Sequence, residues 1–79
     1  MQISRHELDV LEALRDTEGR DDSRSDQVRH ISQTLDIDEG TARQTVDRLV
    51  DSGHVRAPDG RPYALAEAGQ EALAAGPES

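Results

Sequence analysis

The chain contains no cysteine, no lysine, no phenylalanine and no tryptophan, and Tyr63 is its only aromatic residue. Without cysteine, disulfides and cysteine-ligated zinc are excluded. With 33% apolar residues and one aromatic ring, the core has to be assembled from Leu, Val, Ile and Ala. A chain of this size buries only about 60% of its unfolded surface, so that core is small. A deep, enzyme-like pocket is therefore not expected. Long apolar runs are lacking too: the longest is the alanine-rich segment 72–75, far short of a membrane span. The opening QISRHELD carries charge too early for a signal peptide. A soluble, cytoplasmic protein without a cofactor is expected, with one domain over residues 1–76 and a tail over 77–79.

All nine basic residues are arginine, set against 17 acidic ones, for a net charge of −8. This composition resembles proteins of salt-accumulating halophilic archaea. At about 1 M salt the Debye length shrinks to roughly 3 Å, and acidic self-repulsion is screened. The alternative is an acidic protein of an ordinary GC-rich bacterium.

Local signals divide the chain. Ile3-Ser4-Arg5-His6-Glu7-Leu8 reads as a helix start, with Ser4 as N-cap, Glu7 as capping-box partner, and Ile3 and Leu8 as a hydrophobic staple. Leu8, Val10, Leu11 and Leu14 recur at helical spacing, and the helix should end near Asp16 or Thr17. Thr17–Ser23 is polar, contains Gly19 and reads as a loop. A second helix is expected from about Asp26 to Leu35, capped by Ser25 or Ser23, with Val28, Ile31 and Leu35 inward. Ile37, alone in the acidic turn Asp36-Ile37-Asp38, is placed to plug the angle between two helices.

Asp38 is the expected N-cap of a third helix over Glu39–Ser52, with Ala42, Val46, Leu49 and Val50 buried and Gly53 as terminator. His54–Ala57, the turn Pro58–Arg61 and Pro62–Leu65 read as a hairpin, signalled by Asp59-Gly60. Pro62 belongs at a strand end because it cannot donate to the ladder. Glu67–Ala75 reads as a short last helix with Ala68, Ala72 and Leu73 inward, stopped by Gly76 and Pro77. The fold class expected is mainly α with a small β-hairpin.

The run LDIDEGTARQTVDRLVDSGHV, residues 35–55, resembles winged helix-turn-helix regulators, and LAEAGQEAL, residues 65–73, resembles the segment that closes the wing in MarR- and PadR-like proteins. The resemblance covers roughly Ser25–Leu73. It implies a three-helix core, a two-stranded wing and a short C-terminal helix. It speaks to fold more than to function, because winged helices also serve roles without DNA. Ala66 stands where relatives usually carry Thr or Ser as a cap. The long terminal helices that MarR-type proteins use to dimerise and to bind effectors are absent from these 79 residues, so a small-molecule effector is not expected.

In a helix-turn-helix the second helix enters the major groove. With Ala42, Val46 and Leu49 buried, about 100° per residue puts Gly40, Thr41, Gln44, Arg48 and Asp51 on the opposite face, with Thr45 and Asp47 at its borders. Gln44 suits adenine, Arg48 suits guanine or phosphate, and threonines suit a base or a thymine methyl. Gly40 would allow close approach to the DNA backbone. Residues 41–45 hold no acid, and Arg43 adds positive charge.

In the wing, the resemblance makes Arg61 and Arg56 candidates for flanking DNA. Arg24 and Arg29 are candidates for phosphate near the second helix. The bland alternative is a solvated surface throughout. Asp47 and Asp51 are the awkward acids on the reading helix, with Arg43 and Arg48 within helical reach as ion-pair partners. His6, His30 and His54 are not at metal-ligand spacing. The reading is sequence-specific binding of double-stranded DNA by a transcriptional regulator, as a homodimer. The rival is a winged helix that bridges proteins and touches no nucleic acid.

Overall fold

The computed structural model describes residues Ile3–Ala75. The expected helix stop at Gly76-Pro77 and the tail 77–79 lie outside them. Four helices and one hairpin follow in the order α1 (Arg5–Asp16), α2 (Arg24–Leu35), α3 (Glu39–Asp51), β1 (Val55–Arg56), β2 (Ala64–Leu65) and α4 (Glu67–Ala75). This is the expected winged helix-turn-helix architecture.

Helix starts follow the cap chemistry. The Ser4 hydroxyl accepts from the Glu7 N–H at 3.1 Å, and the Glu7 carboxylate accepts from the Ser4 N–H at 3.0 Å. Ile3 packs half-buried against the core, as the staple requires. A second reciprocal box joins Ser23 and Asp26. It starts α2 two residues earlier than expected and selects Ser23 over Ser25 as the cap. At α3 the cap position is Asp38, as read, but its side chain makes no capping hydrogen bond.

The helix ends use one device twice. Asp36 adopts a left-handed conformation at φ 56°, and the Ile37 N–H bonds back to the Ser32 carbonyl at 3.0 Å. Gly53, at φ 85°, does the same for α3, with the His54 N–H on the Leu49 carbonyl at 2.9 Å. These are Schellman-type closures, in which the residue after the left-handed one folds inward. Ile37 accordingly packs half-buried against the core.

The core gathers Leu8, Val10, Leu11, Ala13 and Leu14 of α1, Val28 and Ile31 of α2, and Ala42, Val46 and Leu49 of α3, closed by Val55, Tyr63 and Leu65. α2 packs on α3, α1 lies across both, and α4 rests on α1 and β2. Each strand is only two residues long, shorter than expected. Their antiparallel register pairs Val55 with Leu65 and Arg56 with Ala64.

One inward residue differs from the sequence reading. Ala68 is exposed and Gly69 is the buried residue of α4. A Cβ at position 69 would collide with the His54 backbone carbonyl, so α4 can lie this close to the start of β1 only through glycine.

Candidate nucleic-acid interface

The outward side of α3 carries Glu39, Gly40, Thr41, Arg43, Gln44, Asp47, Arg48 and Asp51, all exposed. Thr45 is a correction: it is 8% exposed. Its hydroxyl donates to the Thr41 carbonyl at 3.0 Å and lies 3.0 Å from His6 Nε2, on α1. Because the Thr45 proton goes to Thr41, the imidazole is the donor in the second bond. Thr45 therefore ties α3 to the start of α1 and is not part of the outward face.

Among the described residues, the side chains of Arg43, Gln44 and Arg48 make no hydrogen bond or ion pair. The expected pairs Asp47–Arg43 and Asp51–Arg48 do not form. The only ion pair within these residues is the exposed Arg5–Asp9 contact at 3.5 Å. The arginines and acids of α3 thus meet solvent outside any ion pair among the described residues. Gly40 has no atom of the chain within 4 Å of where a Cβ would stand. Nothing inside the molecule demands glycine there, although glycine weakens a helix relative to alanine.

The hairpin packs on α3 through β1. Arg56 and Arg61 are exposed, and neither side chain makes a hydrogen bond among the described residues. They line a groove of about 530 Å³ together with Arg20, Glu18, Pro58, Pro62 and Tyr63. Arg20 escaped the sequence reading. It sits in an acidic loop with no helical phase to orient it, and no linear signal links it to the hairpin. A second groove, of about 390 Å³, runs between the first turns of α2 and α3, with Arg24 and Arg43 among its walls and Tyr63 at one end.

Arg24 departs from its expected role as a phosphate ligand. Its Nε donates to the Arg61 carbonyl at 2.9 Å and its Nη2 to the Pro58 carbonyl at 2.5 Å. Its guanidinium lies 4.9 Å from the Tyr63 ring centroid. Arg29 is exposed on α2, distinct from this arrangement. Beneath the hairpin, the fully buried amide of Gln27 binds Thr17 Oγ1 and both the N–H and the carbonyl of Tyr63. Gln27 gave no signal in the sequence.

Glu7 borders the far end of α3. The Ser4 N–H bonded to its carboxylate holds it below the ordinary carboxylate range. The Ser4 hydroxyl, Arg48 and His54 assist, against partial burial. No set of three or more His, Asp or Glu residues is arranged to hold a metal among the described residues. No helix there is long and apolar enough to cross a membrane.

A model of the MarR family matches residues 1–62, which run through all three core helices, β1 and the hairpin turn and stop just short of β2. The chain belongs to the MarR family. That family consists of DNA-binding transcription regulators and not of enzymes, and the three-helix core with its β1–β2 hairpin is the winged helix of that family. No curated protein and no solved structure matches the chain.

Proposed function

We propose that this MarR-family protein binds double-stranded DNA with sequence selectivity, as a transcriptional regulator. In this reading α3 enters the major groove and the wing lies on flanking DNA. The observation that carries it is the state of the outward side chains. Gly40, Thr41, Arg43, Gln44 and Arg48 share one exposed face, and their polar heads have no partner among the described residues. The side chains of Arg56 and Arg61 on the hairpin likewise make no hydrogen bond among the described residues. Gln44 then addresses adenine, Arg48 guanine or a phosphate, and Arg61 flanking phosphate or the minor groove. Thr45 contributes only by holding α3 against α1.

A homodimer goes with this reading. The molecule measures 31 × 25 × 21 Å. A single module of this size contacts too few base pairs for strong specificity. A second copy supplies the second half-site and the added specificity.

The net charge of −8, with Asp47 and Asp51 in no ion pair among the described residues, favours a second reading: a winged helix that docks on a protein and not on DNA. One experiment separates the two. Binding to genomic DNA fragments is measured in molar KCl for the wild type and for a Gln44→Ala, Arg48→Ala double variant. Selective binding by the wild type alone supports the DNA reading. Failure of both proteins to select any fragment overturns it in favour of the protein-docking one.

A further inference from the structure

We propose that Arg24 is a positioning residue that sets the height of the wing over α3, and so the reach of Arg61, without itself binding phosphate. Its functional half rests on the DNA reading above. Arg24 is the first residue of α2, 34 residues from Pro58 and 37 from Arg61 along the chain. Pro58 and Arg61 are the two ends of the wing turn, and the Arg61 N–H bonds the Pro58 carbonyl at 3.2 Å. One guanidinium therefore gathers both ends of the turn. Arginine suits this task because its donors form a rigid planar fork that holds two acceptors at once while its face packs on an aromatic ring. Here the ring is that of Tyr63.

Tyr63 is held independently. Gln27 receives its N–H at 2.8 Å and donates to its carbonyl at 2.9 Å. Arg24 and Gln27 stand three residues apart, which places them on one side of α2. The wing is thus fastened to α2 at two levels, the strand by Gln27 and the turn by Arg24. Because α2 packs on α3, the fastening fixes the wing against the reading helix. A two-stranded ribbon this short has little order of its own. Tethering it in the free protein removes an ordering cost from binding. The side chain of Arg61 stays exposed while its carbonyl is held, so its backbone is anchored and its charge is presented outward.

The rival role, a direct phosphate contact by Arg24, makes opposite forecasts. In the free protein, amide hydrogen exchange is read in molar KCl for wild type, Arg24→Ala and Arg24→Lys. Both variants speed exchange at the Arg61 amide by about tenfold, while the Tyr63 amide, held by Gln27, stays within about twofold. Lysine keeps the charge but lacks the planar fork and the flat face that packs on Tyr63. An unchanged Arg61 amide in Arg24→Ala overturns the tether.

For DNA, affinity is measured in the same salt on a fragment the wild type selects, using Arg24→Ala, Arg24→Lys, Arg61→Ala and the Arg24→Ala, Arg61→Ala double variant. Arg24→Ala weakens binding about tenfold, lysine does not restore it, and the double variant binds like Arg61→Ala alone. Losses that multiply, or rescue by lysine, make Arg24 a phosphate ligand and overturn the proposal. If the wild type selects no DNA, the DNA reading itself falls and takes the positioning of Arg61 with it, while the exchange data still decide the tether.

Discussion

Gln27 offers the sharpest test of how this small fold is held. It is 1% exposed and makes three hydrogen bonds. The hairpin register explains why they matter. The Ala66 N–H bonds the His54 carbonyl, so the residues facing β1 alternate, and the N–H groups of Tyr63 and Leu65 point away from it. That outer edge has no third strand. Gln27 serves Tyr63, and Glu18 Oε2 accepts from the Leu65 N–H at 3.2 Å. Gln27→Leu keeps the volume but strands the buried N–H and carbonyl of Tyr63. Each stranded group costs about 1–3 kcal/mol. Added apolar burial returns roughly 1 kcal/mol. Thr17 keeps its donation to the Leu14 carbonyl at 2.7 Å and loses little. The net loss is about 1–5 kcal/mol, out of the roughly 4–12 kcal/mol expected for a domain this size. At about 4–8 °C per kcal/mol, Tm falls by at least about 4 °C. Thermal unfolding followed by circular dichroism in molar KCl reads this directly, with Thr17→Val as a milder companion at about 1 kcal/mol. A Gln27→Leu shift below about 4 °C would show that water or backbone movement replaces the amide, and would refute the reasoning.

Four further outcomes are expected. Gly69→Ala should destabilise by about 1–3 kcal/mol through the collision with His54, although helix propensity alone forecasts a gain of about 1 kcal/mol, so a rise in Tm would refute the close approach. Glu7 has a lowered folded pKa, so its contribution is complete above the unfolded value near 4.5 and fades as pH falls through the folded one. Glu7→Gln should keep the cap, leave neutral stability within about 0.5 kcal/mol, and flatten the acid limb of a Tm-versus-pH curve; an unaltered limb would remove Glu7 from the account. Tm should rise by about 5 °C or more between about 0.1 and 2 M KCl, because the chain carries 17 acidic residues against nine arginines and one ion pair forms among the described residues; a flat response would contradict self-repulsion as the salt-sensitive factor. An Asp47→Asn, Asp51→Asn double variant should tighten DNA binding by about threefold to tenfold in dilute salt and by much less in molar KCl, and no gain in dilute salt would argue that these acids lie away from the duplex.

Much of the fold was legible because its signals are local. The Ser4–Glu7 box, the helical recurrence of Leu8, Leu11 and Leu14, the terminator Gly53 and the turn Asp59-Gly60 each act within a few residues. The misreadings share the opposite cause. Ser23 and Ser25 both offered a cap, and the choice fell to the reciprocal bond with Asp26. Thr45 sat at the border of an angular estimate, and it was His6, 39 residues away, that drew it inward. Ala68 and Gly69 differ by one step of helical phase, and the carbonyl of His54 decided between them. For the candidate site, the phase of α3 exposed Gln44 and Arg48 correctly. Arg20 and Gln27 stayed hidden, and Arg24 read as a phosphate candidate, because the hairpin residues beside them lie more than 30 residues downstream.

Those residues bear on how an anionic chain approaches a polyanion. In concentrated salt, charges more than a few ångströms apart scarcely interact, since the Debye length is about 3 Å at 1 M. The acids of α1 and α4 then neither repel DNA strongly nor matter for its capture, but the counterion release that drives most non-specific binding is also lost. What remains is contact quality: hydrogen bonds and shape fit from a surface already in place. Under those conditions a loosely held wing would have to order itself with no electrostatic attraction to offset the cost. A chain with nine arginines nevertheless commits Arg24 to two of its own carbonyls and buries Gln27 entirely. In dilute salt that is a poor use of a positive charge. Where charge is screened, rigidity is worth more than one additional phosphate contact, and the Arg24 guanidinium provides it.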